Sequence, residues 1–226
     1  MQQILYIILL LMLMAYLLRQ VSKPTRWVGG LFLWIMNRSH SALTDWGLKQ
    51  VSIEAGFTIL DVGCGGGRTV QKLAALAKEG KVWGIDYADG SVATSRRTNA
   101  QLIKTDRVEI RQASVSNLPF PGNLFDLVSA VETQYYWPDL VKDMQEILRV
   151  LKPGGTLMII AESYKRRNRP DKLGWLQMKL LKLRTLSPDE QREIFVAAGY
   201  ADVHILEKPG NGWICVTGRK PASPGQ

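Results

Sequence analysis

Thr58-Ile59-Leu60-Asp61-Val62-Gly63-Cys64-Gly65-Gly66-Gly67-Arg68-Thr69 is the stretch whose reading decides the fold. An apolar, β-favouring run enters a glycine-dense turn, and a helix-compatible run, Arg68 to Lys78, leaves it. Strand, tight loop and helix in that order open a βαβ unit. Glycine lacks a Cβ, so the backbone can take positive φ and lie directly against a ligand. The loop also ends at a helix N-terminus, where free N–H groups receive anionic groups. The dinucleotide fingerprint G-x-G-x-x-G, begun at Gly63, would need a glycine at position 68, where Arg68 stands.

The glycines fall instead at 63, 65 and 67, with Asp61 just before them. This D-x-G-x-G-x-G run resembles the first motif of the class I S-adenosylmethionine (SAM)-dependent methyltransferases. The resemblance implies that Asp61, Gly63, Gly65 and Gly67 belong to a SAM site.

Outward from the loop, Lys81 to Tyr87 reads as a second strand after a helix closed by Gly80. Its acidic end, Asp86, lies 23 residues after Gly63. In a doubly wound sheet that position faces a ribose, whose hydroxyls a carboxylate can accept. Tyr87 beside it is placed to pack on adenine; a helix cap is the other use of an acidic strand end. Val108 to Gln112 reads as a third strand. The run from Ala113 to Asp126 that follows it is similar to the G-D-A-x-x-L-P-F-x-x-x-x-F-D run of methyltransferases related to the ubiquinone-biosynthesis enzyme. In those enzymes an Asp-Ala pair binds the adenine amine; here the positions hold Ser114 and Val115.

Leu127 to Val131 reads as a fourth strand, with Val131 beside the cofactor at its carboxyl end. Glu132-Thr133-Gln134-Tyr135-Tyr136-Trp137 follows. Ligands of such sheets sit outside the carboxyl ends of the strands, so this loop should border the methyl group. Aromatic faces can approach a sulfonium cation, or the rings can be core. Glu132 and Tyr135 are candidate catalytic residues. An amphipathic helix from Asp139 to Leu151 should be broken by Lys152-Pro153-Gly154-Gly155, with a fifth strand at Thr156 to Ile160. L-R-V-L-K-P-G-G is close to the family's signature after the fourth strand. Ser187-Pro188-Asp189-Glu190 is a capping box with proline at the first helical position. Asp202 to Leu206 and Trp213 to Gly218 read as a closing hairpin. The resemblance, over about residues 51–220, implies an α/β, Rossmann-like seven-stranded sheet. Its last strand is antiparallel, and helices cover both faces.

Ahead of that domain, Ile4 to Leu18 is an unbroken apolar run of 15 residues. A bilayer core asks for about 20. The rivals to a membrane-anchor helix over residues 1–21 are a signal peptide and a buried core helix. Met-Gln-Gln at the start and the lack of an A-x-A-like site disfavour the first. Apolarity on every face disfavours the second. Arg19, Lys23 and Arg26 follow the run, which by the positive-inside rule puts the catalytic body in the cytoplasm. Residues 22–50 read as connecting or cap helices, with Trp27, Trp34 and Trp46 suited either to a membrane interface or to packing on the domain. Methyltransferases like this one often cap the active site with the segment before the glycine loop, which makes His40 and Asn37 candidates there. His40 is either a general base or a structural histidine. Residues 221–226 read as a tail.

The formal net charge is +9. Lys165 to Arg184 holds eight basic residues against Asp171 alone, so +7 of that charge lies in one segment interleaved with apolar residues. Such a segment suits a membrane surface or a solvated insertion over the pocket. Cys64 and Cys215 suggest neither a disulfide framework nor a metal-ligand cluster. Two function classes follow: a methyltransferase acting on a small, lipophilic or lipid acceptor, and a membrane-tethered SAM-binding protein without turnover. RNA is a further substrate class that the charge admits, although no aromatic-basic RNA module is evident. A nicotinamide dehydrogenase is disfavoured by Arg68.

Overall fold

In the computed structural model, residues 6, 9, 12, 40–162, 164–165, 185–208 and 210–222 are described. The anchor reading over 1–21 touches them only at Tyr6, Leu9 and Met12. Asn37, Trp27, Trp34, the basic segment beyond Lys165 and most of the tail lie outside them. No helix among the described residues is long and apolar enough to cross a membrane.

Helix α1 (Ser41–Leu48) precedes β1 (Ile59–Val62), α2 (Arg68–Leu76), β2 (Val82–Asp86), α3 (Asp89–Thr98), α4 (Ala100–Lys104) and β3 (Val108–Gln112). Next come β4 (Phe125–Val131), a 3-10 turn (Gln134–Tyr136), α5 (Leu140–Val150), β5 (Leu151–Ala161), α6 (Pro188–Ala197), β6 (Ala201–Lys208) and β7 (Trp213–Arg219). The seven strands form one sheet in the order β3-β2-β1-β4-β5-β7-β6. Strands β1 to β5 run parallel, and β7 is antiparallel to both β5 and β6. The closing hairpin and the antiparallel last strand are as expected.

Two apolar clusters cover the two faces. Ile59 and Leu127 turn to one face, with Leu43 of α1 and Val70 and Leu73 of α2. Leu60 and Val128 turn to the other, with Met144 and Ile147 of α5 and Phe195 of α6. Strand alternation explains the split, and burial on both faces explains why these strands read as near-continuous apolar runs. Trp46 meets Trp213 with ring centroids 6.0 Å apart, so this tryptophan packs on the domain.

One element departs from expectation. Lys152-Pro153-Gly154-Gly155 lies inside β5 and does not separate helix from strand. Phe125 pairs with Leu151, yet Leu127 pairs with Thr156, so the strand bulges through these residues. Gly154 takes φ +77°, and a Cβ on Gly155 would lie 2.9 Å from the Lys152 carbonyl. Proline and glycine here serve a bulge, which also places them at a strand's start.

Candidate active site

The glycine loop leaves β1 at the carboxyl edge of the sheet. Gly63, Gly65 and Gly67 all have positive φ (73°, 50° and 81°). The N–H groups of Gly63 and Cys64 both donate to the Ile85 carbonyl at 2.8 Å, which ties the loop to β2. A Cβ on Gly63 would collide with the Thr133 side chain, and one on Gly67 would lie 2.5 Å from Ser95 Oγ and Asn99 Nδ2. Two of the three glycines are therefore required by the loop's own packing.

Asp86 ends β2 with its carboxylate buried. Oδ2 accepts the Gly65 N–H at 3.0 Å, and Oδ1 accepts the Ala88 N–H at 2.9 Å. Burial raises its pKa, and the backbone donors at Ala88 and Gly65 pull it back. Asp61 is opposite Ser129 in the β1–β4 register, and the Ser129 hydroxyl donates to Asp61 Oδ1 at 2.6 Å. Burial pushes Asp61 up to about 7, against the Ser129 hydrogen bond and with the charge of Asp86 nearby. Tyr87 is exposed beside Asp86. Ser114 is exposed and its hydroxyl accepts the Ser116 N–H at 3.2 Å, while Val115 is buried in the core. Val131 is half-buried at the end of β4.

The candidate catalytic residues gather at the same edge. Glu132 follows β4 with φ +55°, a conformation rare for a residue with a Cβ. Its Oε1 accepts the Tyr135 hydroxyl at 3.2 Å and the backbone N–H of Glu162 at 2.5 Å. Burial pushes Glu132 up to about 7, and the charge of His40 opposes that. Tyr135 and Trp137 are buried in the core, and Tyr136 is half-buried. Burial pushes the Tyr136 phenol up to about 12, so it stays neutral at ordinary pH.

His40 stands just before α1, and its side chain does not cap that helix. Its Nε2 lies 3.4 Å from Glu162 Oε1. Two contacts bring it there. A Cβ on Gly47 would overlap the Ile160 side chain, so glycine lets α1 lie close on β5. Lys72 of α2 reaches the Ser41 carbonyl and hydroxyl at 2.9 and 2.8 Å. Burial pulls the His40 pKa down, but the Glu162 hydrogen bond and the charges of Glu132 and Glu162 raise it overall.

Sequence reading missed Glu162, Thr133, Ser129, Ser95 and Asn99. Glu162 was within reach of it: the rule that flagged Glu132 at the end of β4 also marks the first residue after β5. His40, Glu132 and Glu162 bring one ligand-type atom each within 4.8 Å of the others, a grouping that neither cysteine nor histidine spacing signals.

Residues 60–159 match a family model described as a methyltransferase domain. The chain is 28% identical over 192 residues to the uncharacterized methyltransferase YdaC of Bacillus subtilis, covering 84% of this chain and 98% of that protein. It is 29% identical over 198 residues to the demethylmenaquinone methyltransferase of Shouchella clausii, covering 77% of this chain and 83% of the relative. Among solved structures, it resembles the methyltransferase in complex with the Trm112 activator from Haloferax volcanii. The TM-score is 0.73 at 22% identity, over 86% of this chain and 96% of that one. A SAM-dependent methyltransferase from Aquifex aeolicus gives a TM-score of 0.64 at 24% identity, over 78% and 88%. The structural likenesses show the fold, and the family match spans the glycine loop and the carboxyl ends of β1 to β4. Residues 60–159 thus match a methyltransferase domain, and the chain is similar over most of its length to proteins named as methyltransferases.

Proposed function

We propose that the chain transfers the SAM methyl group to a small lipophilic acceptor at the cytoplasmic face of a membrane. Asp61, the three glycines, Asp86 and Tyr87 form the SAM side; Ser114, Val115 and Val131 border it. The observation that carries the acceptor reading is the turn after β4. It sets Glu132 and the half-buried Tyr136 at the strand edge, above buried Tyr135 and Trp137. Such a wall suits an apolar ring better than a charged polymer. The demethylmenaquinone methyltransferase relative, whose name gives a lipophilic acceptor, supports the same class.

The chemistry asks mainly for positioning and exclusion of water. A nucleophile on the acceptor attacks the methyl carbon, the C–S bond breaks toward sulfur, and S-adenosylhomocysteine leaves neutral.

The membrane side of the reading is supported by the apolar run and by the basic segment. Tyr6, Leu9 and Met12, three residues apart, are helical and exposed at 70, 53 and 64%. The test is incubation of membrane extract with the enzyme and deuterated-methyl SAM, followed by mass spectrometry. A labelled lipophilic product is expected; label found only in RNA or only in water-soluble amines would overturn the reading.

A further inference from the structure

Methyl transfer needs a base only when the nucleophile carries a proton at working pH. The carboxyl edge of the sheet holds groups suited to that task, and one of them, Glu162, has no part in the SAM side. It sits directly after β5 (Leu151–Ala161) and touches both other members of a cluster. Its backbone N–H fixes Glu132 Oε1 at 2.5 Å, and its carboxylate lies 3.4 Å from His40 Nε2. A carboxylate on one imidazole nitrogen fixes the tautomer and leaves the other nitrogen basic.

We propose that Glu162 is a positioning residue that makes His40 a general base, and that the acceptor is therefore one whose nucleophile carries a proton at working pH. The inference rests on the methyl transfer proposed above and names its acceptor chemistry. With Nε2–H directed at Glu162, Nδ1 takes the proton of the nucleophile, which for a hydroxyl acceptor is the O–H proton. The released electron pair forms the new bond to the methyl carbon, from oxygen or from the conjugated ring carbon, and the C–S pair passes to sulfur. Where a ring carbon is methylated, its C–H proton then returns to the oxygen. In either case one proton remains on His40, where the imidazolium faces two carboxylates, and leaves to water.

The charged and titratable groups around His40 all favour that end state or are neutralised elsewhere. Glu132, Tyr135 and Tyr136 come from β4 and its turn, and Glu162 from β5. From the helices come Asp45 and Lys72, which pair with each other at 2.6 Å. The cluster is a poorer cation shell than a proton relay, because Glu132 Oε1 already accepts two hydrogen bonds from the protein.

The test uses the full chain and two acceptors: 1,4-naphthohydroquinone, protonated at neutral pH, and 4-nitrothiophenol, already a thiolate there. His40→Gln should lower kcat on the hydroquinone about a hundredfold, with a loss on the thiolate at least tenfold smaller. Glu162→Gln removes the carboxylate charge that raises His40, so the rising limb of its kcat–pH profile on the hydroquinone should move to lower pH. Affinity for SAM should stay within twofold of wild type, measured by calorimetry. Equal losses on both acceptors, an unmoved limb in Glu162→Gln, or methylation of the thiol alone would overturn the inference and leave methyl transfer standing. Activity abolished by EDTA and restored by Mn²⁺ would overturn it in favour of a cation site. A wild-type chain that binds SAM and methylates neither compound overturns the inference, while the labelled product from membrane extract decides the proposed function separately.

Discussion

Asp86 Oδ2 accepts a hydrogen bond from the backbone N–H of Gly65 at 3.0 Å, so the acid at the end of β2 shapes the glycine loop at the end of β1. The carboxylate expected to meet the ribose therefore also holds the loop that would carry the rest of the cofactor. Asp86→Ala removes both roles. Two lost hydrogen bonds to a charged group, at roughly 1.5–3 kcal/mol each, predict a SAM affinity loss of tenfold or more. Asp86→Asn should lose less, because an amide oxygen can still accept from Gly65. Titration calorimetry on both variants checks this; equal affinities for Asp86→Ala and wild type would remove Asp86 from the site.

Gly67 is the N-cap of α2 in the left-handed conformation, and a Cβ there would lie 2.9 Å from the Ser95 Cα. Backbone atoms of α3 cannot yield as a side-chain tip can. Gly67→Ala should therefore cost roughly 1–3 kcal/mol from backbone strain alone, read as a fall in the urea unfolding midpoint. An unchanged midpoint would mean that the loop has room to rearrange.

The glycine loop, the closing hairpin and the Ser187 capping box were legible because each is local chemistry. Ser187 Oγ accepts the Glu190 N–H at 3.1 Å, and Glu190 Oε2 accepts the Ser187 N–H at 2.7 Å, as a four-residue motif with proline at its second position foretells. Lys152-Pro153-Gly154-Gly155 was misread because proline and glycine punctuate helices and bulges alike; the register of β4 against β5 decides between them, and register is not local. Glu162 stands where the strand-end rule marks a residue, but its partnership with His40 is not local either. Its significance comes from α1 lying across β5, a contact permitted by Gly47 against Ile160 and by Lys72 on Ser41.

Asp126, read from sequence as part of a family run, lies at the opposite, amino edge of the sheet. Its Oδ2 accepts the Thr58 N–H at 2.8 Å, and both oxygens accept from Lys152 Nζ at 2.8 Å. Lys152 is 42% exposed, so the ion pair itself contributes little. The unpaired Thr58 N–H dominates, and Asp126→Ala should cost about 1–3 kcal/mol. SAM affinity and turnover at a permissive temperature should be unchanged. A variant as stable as wild type but inactive would mean that this acid serves the reaction.

Asp61 and Glu132 are the carboxyls with the large upward shifts among the described residues, and both weigh on the pH response of the ligand-free protein. Burial raises each to about 7, from 3.8 and 4.5. A carboxyl with a raised folded-state pKa binds more protons folded than unfolded. Its contribution to stability is complete below the unfolded value and is lost as pH rises to about 7. The ligand-free protein should therefore lose stability between about pH 4 and pH 7, by on the order of 3 kcal/mol for each acid. Asp61→Asn should remove about half of the slope and be the more stable protein at pH 8, provided that Ser129 finds the amide oxygen as it finds Oδ1. Glu132→Gln should remove the other half. SAM brings a sulfonium to the site, and a nearby cation favours the ionised acid, so wild-type SAM affinity should rise toward neutral pH while that of Asp61→Asn stays flatter. Urea unfolding and calorimetry across pH 4–8 measure both trends. A slope left unchanged by both Asp61→Asn and Glu132→Gln would show that neither carboxyl is held protonated in the folded protein.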